Sequence, residues 1–397
     1  MPELLAPAGD LERLKIAVRY GADAVYFGGQ QFSLRARASN FTLADIQEAV
    51  SFAHAHGCKA YVTVNIIPHE GDLEGLEDYL ATLESFGVDA IICASLAIAK
   101  LAKKVAPKME VHISTQQTTM NSAALSFWQE NGADRLVLGR EVTLEELKAI
   151  AGRTSLPLEV FIHGGMCANY SGRCTISNLL TGRDANRGGC AHSCRWDYHL
   201  WQNGEKRDRE DCLFSMGSRD MMTAGCLEDI LATPVCSLKI EGRMKTGFYL
   251  AGIIKSYRML LDSYARNGFI EPEVRNKALE LIRCVENRES FAGFYPQIAG
   301  RTGQIYNIGK QGASQNFVAR VVSWDQNSSE ATVEVRNHFE KGDQLAILKP
   351  DGEADFLAEM FDLEGNEVTV ANKPLQLLKM KLPLAADEYT FIHKKEK

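Results

Sequence analysis

Four cysteines stand within one stretch of 28 residues, spaced Cys167-x6-Cys174-x15-Cys190-x3-Cys194. Ten cysteines spread evenly over 397 residues would put fewer than one in such a window, so the density needs a chemical cause. Bound metal is the cause these intervals favour. Structural zinc usually takes two close cysteine pairs, and here only Cys190 and Cys194 form one. Iron–sulfur clusters also take four thiolates, with more variable spacing and often a distant ligand. Gly172, Gly182, Gly188 and Gly189 lie between the cysteines and let the chain fold tightly round a bound group. Spacing alone leaves zinc and iron–sulfur both open. Cys58 and Cys93 sit in apolar surroundings and read as small core residues, while Cys212, Cys226 and Cys236 are the alternatives for any one ligand.

A second set of polar residues follows the ends of short apolar runs: Arg35, Arg37, Asn65, His112, Gln116, Arg140, Glu141, His163, Glu241 and Arg243. Three separate loops supply arginine, which suits an anion carrying more than one carboxylate or phosphate. Protease signatures are missing. None of the nine histidines belongs to a His-Glu-x-x-His, and no Gly-x-Ser-x-Gly occurs. A thiol–imidazole pair can be drawn from Cys167 and His163, but its spacing is not diagnostic.

The elements that must carry these residues alternate. Leu4–Pro7, Ala24–Phe27, Ala60–Val64, Ala90–Cys93, Val111–Ser114, Leu136–Leu138, Glu159–Ile162 and Leu238–Ile240 read as buried parallel strands. Amphipathic helices fill the gaps. Asp10 is placed to cap the first, and Thr42…Asp45 and Thr143…Glu146 resemble capping boxes. Gly21-Ala-Asp23, Gly87-Val-Asp89 and Gly132-Ala-Asp134 mark recurrent helix-to-strand turns. Eight such units over about 250 residues predict an α/β fold, a (β/α)8 TIM-like barrel. An open doubly wound sheet is the rival, but no Gly-x-Gly-x-x-Gly follows the first strand. The eighth strand is delayed by an insertion of about 165–236 that leaves the seventh strand at the active face of such a barrel, and all four clustered cysteines lie in it. The barrel unit spans 1–298, including helices at Thr246–Asn267 and Glu273–Asn287. Residues 299–397 change to short alternating runs and predict a small all-β barrel domain.

Composition is that of a globular protein, 45% hydrophobic and 24% charged, which excludes whole-chain disorder, collagen and coiled coil. No apolar run approaches a membrane span. The N-terminus lacks a basic segment followed by a long apolar one, so a cytoplasmic protein without a signal peptide is expected. A net charge of −7 argues against bulk electrostatic coating by nucleic acid and leaves room for one RNA docked on a local basic patch.

The motifs Glu3-Leu-Leu-Ala-Pro-Ala-Gly-Asp10, Phe161-Ile-His-Gly-Gly-Met-Cys167, Tyr170-Ser-Gly-Arg-Cys174, Cys190-Ala-His-Ser-Cys194-Arg-Trp196 and Ser237-Leu-Lys-Ile-Glu-Gly-Arg-Met-Lys245 resemble those of peptidase family U32. The likeness spans essentially the whole chain, including Asn337-His-Phe-Glu-Lys-Gly-Asp343. Length and the Cys-x3-Cys-Arg-Trp element are most similar to the branch that takes part in 5-hydroxylation of the wobble uridine of tRNA with prephenate. The resemblance therefore implies an RNA-modifying enzyme, a 4Fe-4S cluster and a small dicarboxylate, prephenate, as cosubstrate. Hydroxylation of ribosomal RNA, collagenase-like peptidase activity and a cluster-carrying accessory subunit are the other roles the family suggests. The last would work with a related-family partner or as a homo-oligomer. Some subfamilies take the fourth thiolate from the segment matching Ser218–Cys226. Here that segment reads Ser218-Arg-Asp-Met-Met222, so Cys194 completes the expected set.

An RNA substrate for an acidic protein requires a localised basic surface. Arg173, Arg183, Arg187 and Arg195, with Lys206, Arg207 and Arg209 around a predicted Asn203-Gly204 hairpin turn, are the candidates. Trp196, Tyr198 and Trp201 interleave with them and could stack an extruded base.

Overall fold

In the computed structural model, which describes residues 1–34, 40–208, 213–306 and 316–395, the first seven apolar runs become β1 (Glu3–Pro7), β2 (Ala24–Gly28), β3 (Lys59–Val64), β4 (Ala90–Cys93), β5 (Glu110–Ile113), β6 (Arg135–Val137) and β7 (Leu158–Gly164). They pair in parallel, each with the next. An excursion from 165 to 236 follows, carrying a short hairpin, β8 (Trp201–Gln202) and β9 (Glu205–Lys206), and then β10 (Asp220–Met222). β11 (Ser237–Ile240) pairs in parallel with both β7 and β1 and closes the barrel. The expected eight-stranded (β/α) barrel is present, with this excursion between its seventh and eighth strands.

Helices α1 (Leu11–Arg19), α2 (Leu43–Ala55), α3 (Leu76–Ser85), α4 (Leu96–Val105), α5 (Ser122–Glu130) and α6 (Leu144–Ala151) connect the strands. Asp10 accepts from the Arg13 N–H at 2.8 Å, and both Thr42–Asp45 and Thr143–Glu146 close as capping boxes. The three Gly-x-Asp tripeptides share one mechanism. Gly21, Gly87 and Gly132 take φ of +104°, +81° and +91°, a left-handed turn that ends each helix at little cost only for glycine. The following aspartate then accepts the first free N–H of a neighbouring strand: Asp23 from Leu4 at 2.7 Å, Asp89 from Ala60 at 2.8 Å and Asp134 from Val111 at 2.7 Å.

The barrel interior is filled, not hollow, and its floor is ionic. Glu159 accepts from the Lys239 ammonium at 2.6 Å and from Arg135 at 3.3 Å, and Arg135 also pairs with Glu3. Tyr26, Tyr61, Leu5 and Ile92 pack beside this network.

The insertion adds α7 (Ile176–Thr181) and α8 (Leu227–Leu231), and α9 (Gly247–Asn267) and α10 (Pro272–Val285) follow the barrel. β12 (Ser290–Phe291) pairs with β10 on the barrel side, and beyond it lies an antiparallel all-β region whose main sheet has eight strands among the described residues, including β13 (Phe317–Asp325) and β14 (Glu330–Val335). It has its own core around Val321, Val333, Phe339, Ile347 and Met380. It rests on the barrel through Phe317, stacked on Phe248 at 4.8 Å, and through Lys255, which donates to the carbonyls of Lys349 and Gly352. No helix among the described residues is long and apolar enough to cross a membrane.

Candidate functional site at the barrel mouth

Strand β7 ends at Gly164 and delivers Cys167 to the mouth two residues after Gly165. A side chain at Gly165 would stand 3.2 Å from both the Arg195 guanidinium and the Glu241 carboxylate, so glycine is what lets those groups close over the strand end. The insertion then spreads across the neighbouring loops. Ser171 donates to Glu141 from its N–H at 2.9 Å, and Thr118 donates to the Ser171 carbonyl at 2.6 Å. Arg187 reaches Asp72 at 2.5 Å and His69 at 3.2 Å. Loops after β3, β5 and β6 thereby hold the cysteine-bearing segment in place.

Cys167, Cys174, Cys190 and Cys194 are all free thiols, with Cys167 and Cys190 exposed and the other two half-buried. Cys167 keeps an open face at the mouth while protein crowds its remaining sides. That burial pushes its thiol up, and Arg140 and Arg195 oppose the shift. Burial also pushes up Cys194, with Arg195 opposing and Cys167, Cys190 and Cys174 each adding to the rise. The four sulfurs thus share one electrostatic neighbourhood beside two guanidinium groups. Among the described residues no three His, Cys, Asp or Glu side chains converge closely enough to hold a metal ion as placed. The donor set suits iron–sulfur chemistry: four free thiols on one glycine-rich segment, with Arg140 and Arg195 beside Cys167 and Arg195 beside Cys194.

The alternative cysteines lie elsewhere. Cys236 is at the barrel floor, donating to the Leu158 carbonyl at 3.2 Å, and Cys226 caps α8; burial pushes each up to about 11. Cys58 and Cys93 are buried core residues, as expected. Cys212 lies outside the described residues.

Of the anion-binding candidates, Arg140, Glu141, Asn65, Gln116, Glu241 and Arg243 are at the mouth. Glu141 is committed to Ser171. Asn65 accepts from the Leu34 N–H at 3.2 Å. The Gln116 carbonyl is where a side chain at Gly172 would collide, so this loop contact is structural. Arg243 is buried, with Ser33 and Asn40 each at 3.2 Å. Arg35 and Arg37 lie outside the described residues.

Two histidines are not where the strand-end pattern put them. His112 is buried in the barrel floor, 2.9 Å from Glu110 and edge-on to Tyr61, because strand stagger sets it level with Arg135 at the start of β6. His163 points away from the mouth. The register between β7 and β11 shifts at Lys239/Ile240, and this bulge turns His163 out towards α9, where Tyr257 is 3.3 Å from Nδ1. The drawn Cys167–His163 pair is therefore not formed.

Behind the strand, His163 Nε2 faces the Glu286 carboxylate at 3.9 Å. Burial holds the imidazole down to about 3 and raises the Glu286 carboxyl to about 7, Asp220 adding to the latter. A carboxyl raised from 4.5 to about 7 favours the fold while protonated and loses that advantage as pH rises through 7. His163 works oppositely, its contribution fading only as pH falls below 6.5. Relative to wild type, Glu286→Gln should therefore gain stability as pH rises from about 4.5 to 7, by roughly 3 kcal/mol at most over that interval. Urea titrations across that range check this, and an unchanged slope would refute it.

The RNA candidates divide. Asn203 and Gly204 take φ of +51° and +81° and form the expected hairpin turn. Arg173, Trp196, Lys206 and Arg207 are exposed and Arg183 is half-buried, with Trp201 on the same hairpin 65% exposed. Arg187 and Arg195 are instead internal ties, to Asp72 and to Asp220 at 3.7 Å, and Tyr198 donates to the Ser193 carbonyl. Arg209 lies outside the described residues.

The chain matches the family described as Peptidase family U32 over residues 9–304 and the U32 C-terminal domain over 313–392. It is 41% identical over 391 residues to the tRNA hydroxylation protein P1 of Bacillus subtilis, covering 96% of this chain and 92% of that protein. It is 30% identical to the tRNA hydroxylation protein P of Escherichia coli, covering 93% and 91%. The 23S rRNA 5-hydroxycytidine C2501 synthase of Escherichia coli is 41% identical over 262 residues, 66% of this chain and 39% of that protein.

Proposed function

The chain belongs to peptidase family U32, and from that premise we propose that it is an RNA-modifying enzyme that takes part in 5-hydroxylation of the wobble uridine of tRNA. Similarity over more than nine-tenths of two tRNA hydroxylation proteins carries the reading. The match to the ribosomal RNA enzyme extends over only 39% of that protein, which supports tRNA over ribosomal RNA in this reading.

In this reading Cys167, Cys174, Cys190 and Cys194 hold a 4Fe-4S cluster at the barrel mouth. Such a cluster supplies one-electron chemistry when bound. Arg140 and Arg195 lower the cost of gathering thiolate charge there. Arg140 also receives one carboxylate of prephenate, the cosubstrate, and the committed groups Glu141 and Arg243 keep the surrounding loops fixed. The exposed face of the insertion, with Arg173, Arg183, Lys206, Arg207, Trp196 and Trp201, receives the tRNA. The protein acts in the cytoplasm.

Mass spectrometry of tRNA nucleosides from a deletion strain tests the function. Loss of 5-hydroxylated wobble uridine, restored by the wild-type chain, supports it. Intact tRNA with a missing hydroxycytidine in ribosomal RNA would transfer the role to the ribosome.

The tRNA surface has its own test. Lys206→Glu with Arg207→Glu should weaken tRNA binding about tenfold at moderate salt and make the dependence on salt less steep, because two phosphate contacts are lost. Both side chains are exposed and, among the described residues, form ion pairs only with Asp208 and Glu205, so iron content and thermal stability should hold. Unaltered tRNA affinity in a filter-binding assay would move the RNA site off the hairpin.

A further inference from the structure

Among the described residues, Arg140 is a cation at the mouth that no carboxylate claims. Its guanidinium carbon lies 3.8 Å from the centroid of the Phe161 ring, and among the described residues its side chain makes no hydrogen bond or ion pair. The acidic groups around it are engaged elsewhere: Glu141 with Ser171, Glu241 with the Gly165 N–H, and Glu159 with Lys239 and Arg135. A half-buried guanidinium would ordinarily recruit one of them.

The ring beneath it is firmly set. Phe161 is 5% exposed, faces the barrel interior on β7 in register with Lys239 on β11, and its carbonyl accepts from the Tyr295 hydroxyl at 2.8 Å. The Lys239 ammonium is 5.6 Å from the same ring centroid, held by Glu159. An aromatic face offsets part of the guanidinium's charge without using any of its N–H donors. Those donors lie in the guanidinium plane, so the in-plane fork stays available to a carboxylate, which a protein salt bridge would have occupied.

We propose that Phe161 is a positioning residue that holds the Arg140 guanidinium uncommitted at the mouth, as the fork that receives a carboxylate of the small dicarboxylate substrate. This rests on the reading that prephenate binds at the mouth. Phe161 does not touch the substrate itself; it acts through Arg140.

Calorimetric titration of prephenate into the anaerobically purified, iron-loaded protein tests it as a double-mutant cycle. Phe161→Leu should weaken binding about tenfold and Arg140→Ala at least as much. The double variant should be no weaker than Arg140→Ala alone, since the ring has nothing left to position. Phe161→Tyr, which keeps the aromatic face, should bind within about twofold of wild type. Arg140→Lys keeps the charge but loses the planar fork and should resemble Phe161→Leu. Iron content and melting temperature serve as folding controls. Wild-type affinity in both Phe161→Leu and Arg140→Lys, or additive losses in the double variant, would overturn the proposal while leaving the functional reading intact. If the unaltered protein binds no prephenate, the cosubstrate reading fails and this proposal fails with it. If Phe161→Leu does not fold, Arg140→Lys and Phe161→Tyr decide the matter.

Discussion

Single replacements of Cys167, Cys174, Cys190 and Cys194 by Ala are expected to strip most of the bound iron from the anaerobically purified protein and abolish hydroxylation. Cys226→Ala and Cys236→Ala should leave both intact. The contrast has a physical basis. A ligand must be a thiolate within reach of the others; the four cysteines share the segment at the mouth, where burial raises Cys167 and Cys194 and Arg195 opposes the rise at both, joined by Arg140 at Cys167. Cys226 and Cys236 lie apart from that group, at the start of α8 and at the barrel floor: burial pushes both up to about 11, with Arg275 opposing at Cys226 and Arg135 at Cys236. Iron and acid-labile sulfide assays with visible absorption read the result. Full iron in Cys194→Ala with loss in Cys226→Ala or Cys212→Ala would show that the fourth ligand has been misassigned.

Glu159→Ala should cost about 3–5 kcal/mol of stability without touching the mouth. Glu159 is fully buried and its carboxylate is shared by Lys239 and Arg135. Burial alone would raise this carboxyl, but the two cations outweigh it and hold it below its ordinary value. Its removal leaves Arg135 with Glu3, whereas Lys239 keeps, among the described residues, only the aromatic faces of Tyr26 and Phe161, 4.4 and 5.6 Å away. An ammonium stranded in a closed interior must shed its proton or draw in water, and either is costly. Glu159→Leu combined with Lys239→Met should recover much of the loss, because an apolar pair needs no partner. Urea denaturation of the three proteins measures this. A loss below about 1 kcal/mol for Glu159→Ala would mean the floor network contributes little, and its polar residues would then need another explanation.

The amino-acid sequence alone determined the order and type of the elements. Buried strands are short apolar runs whatever surrounds them, and the caps at Asp10, Thr42 and Thr143 are local hydrogen bonds spanning three residues, so neither needs the tertiary fold to be recognised. The same holds for the insertion and its four cysteines, whose density is visible along the chain. What the chain could not reveal was direction and depth. His163 and Phe161 have the same parity on β7, yet a single bulge sends one towards the helices and leaves the other facing the interior. His112 belongs to a floor layer because barrel strands are staggered, and stagger is a relation between strands. Arg187 looked like a free basic residue until the fold brought Asp72 to it from 115 positions away. Arg140 is the converse: only the closed barrel shows that every acid near it is already engaged, leaving an aromatic ring beneath the guanidinium and its donors open to the mouth. Local chemistry is written in neighbouring residues, whereas the pairing of charges across a closed sheet is decided by which side chains the closure brings face to face.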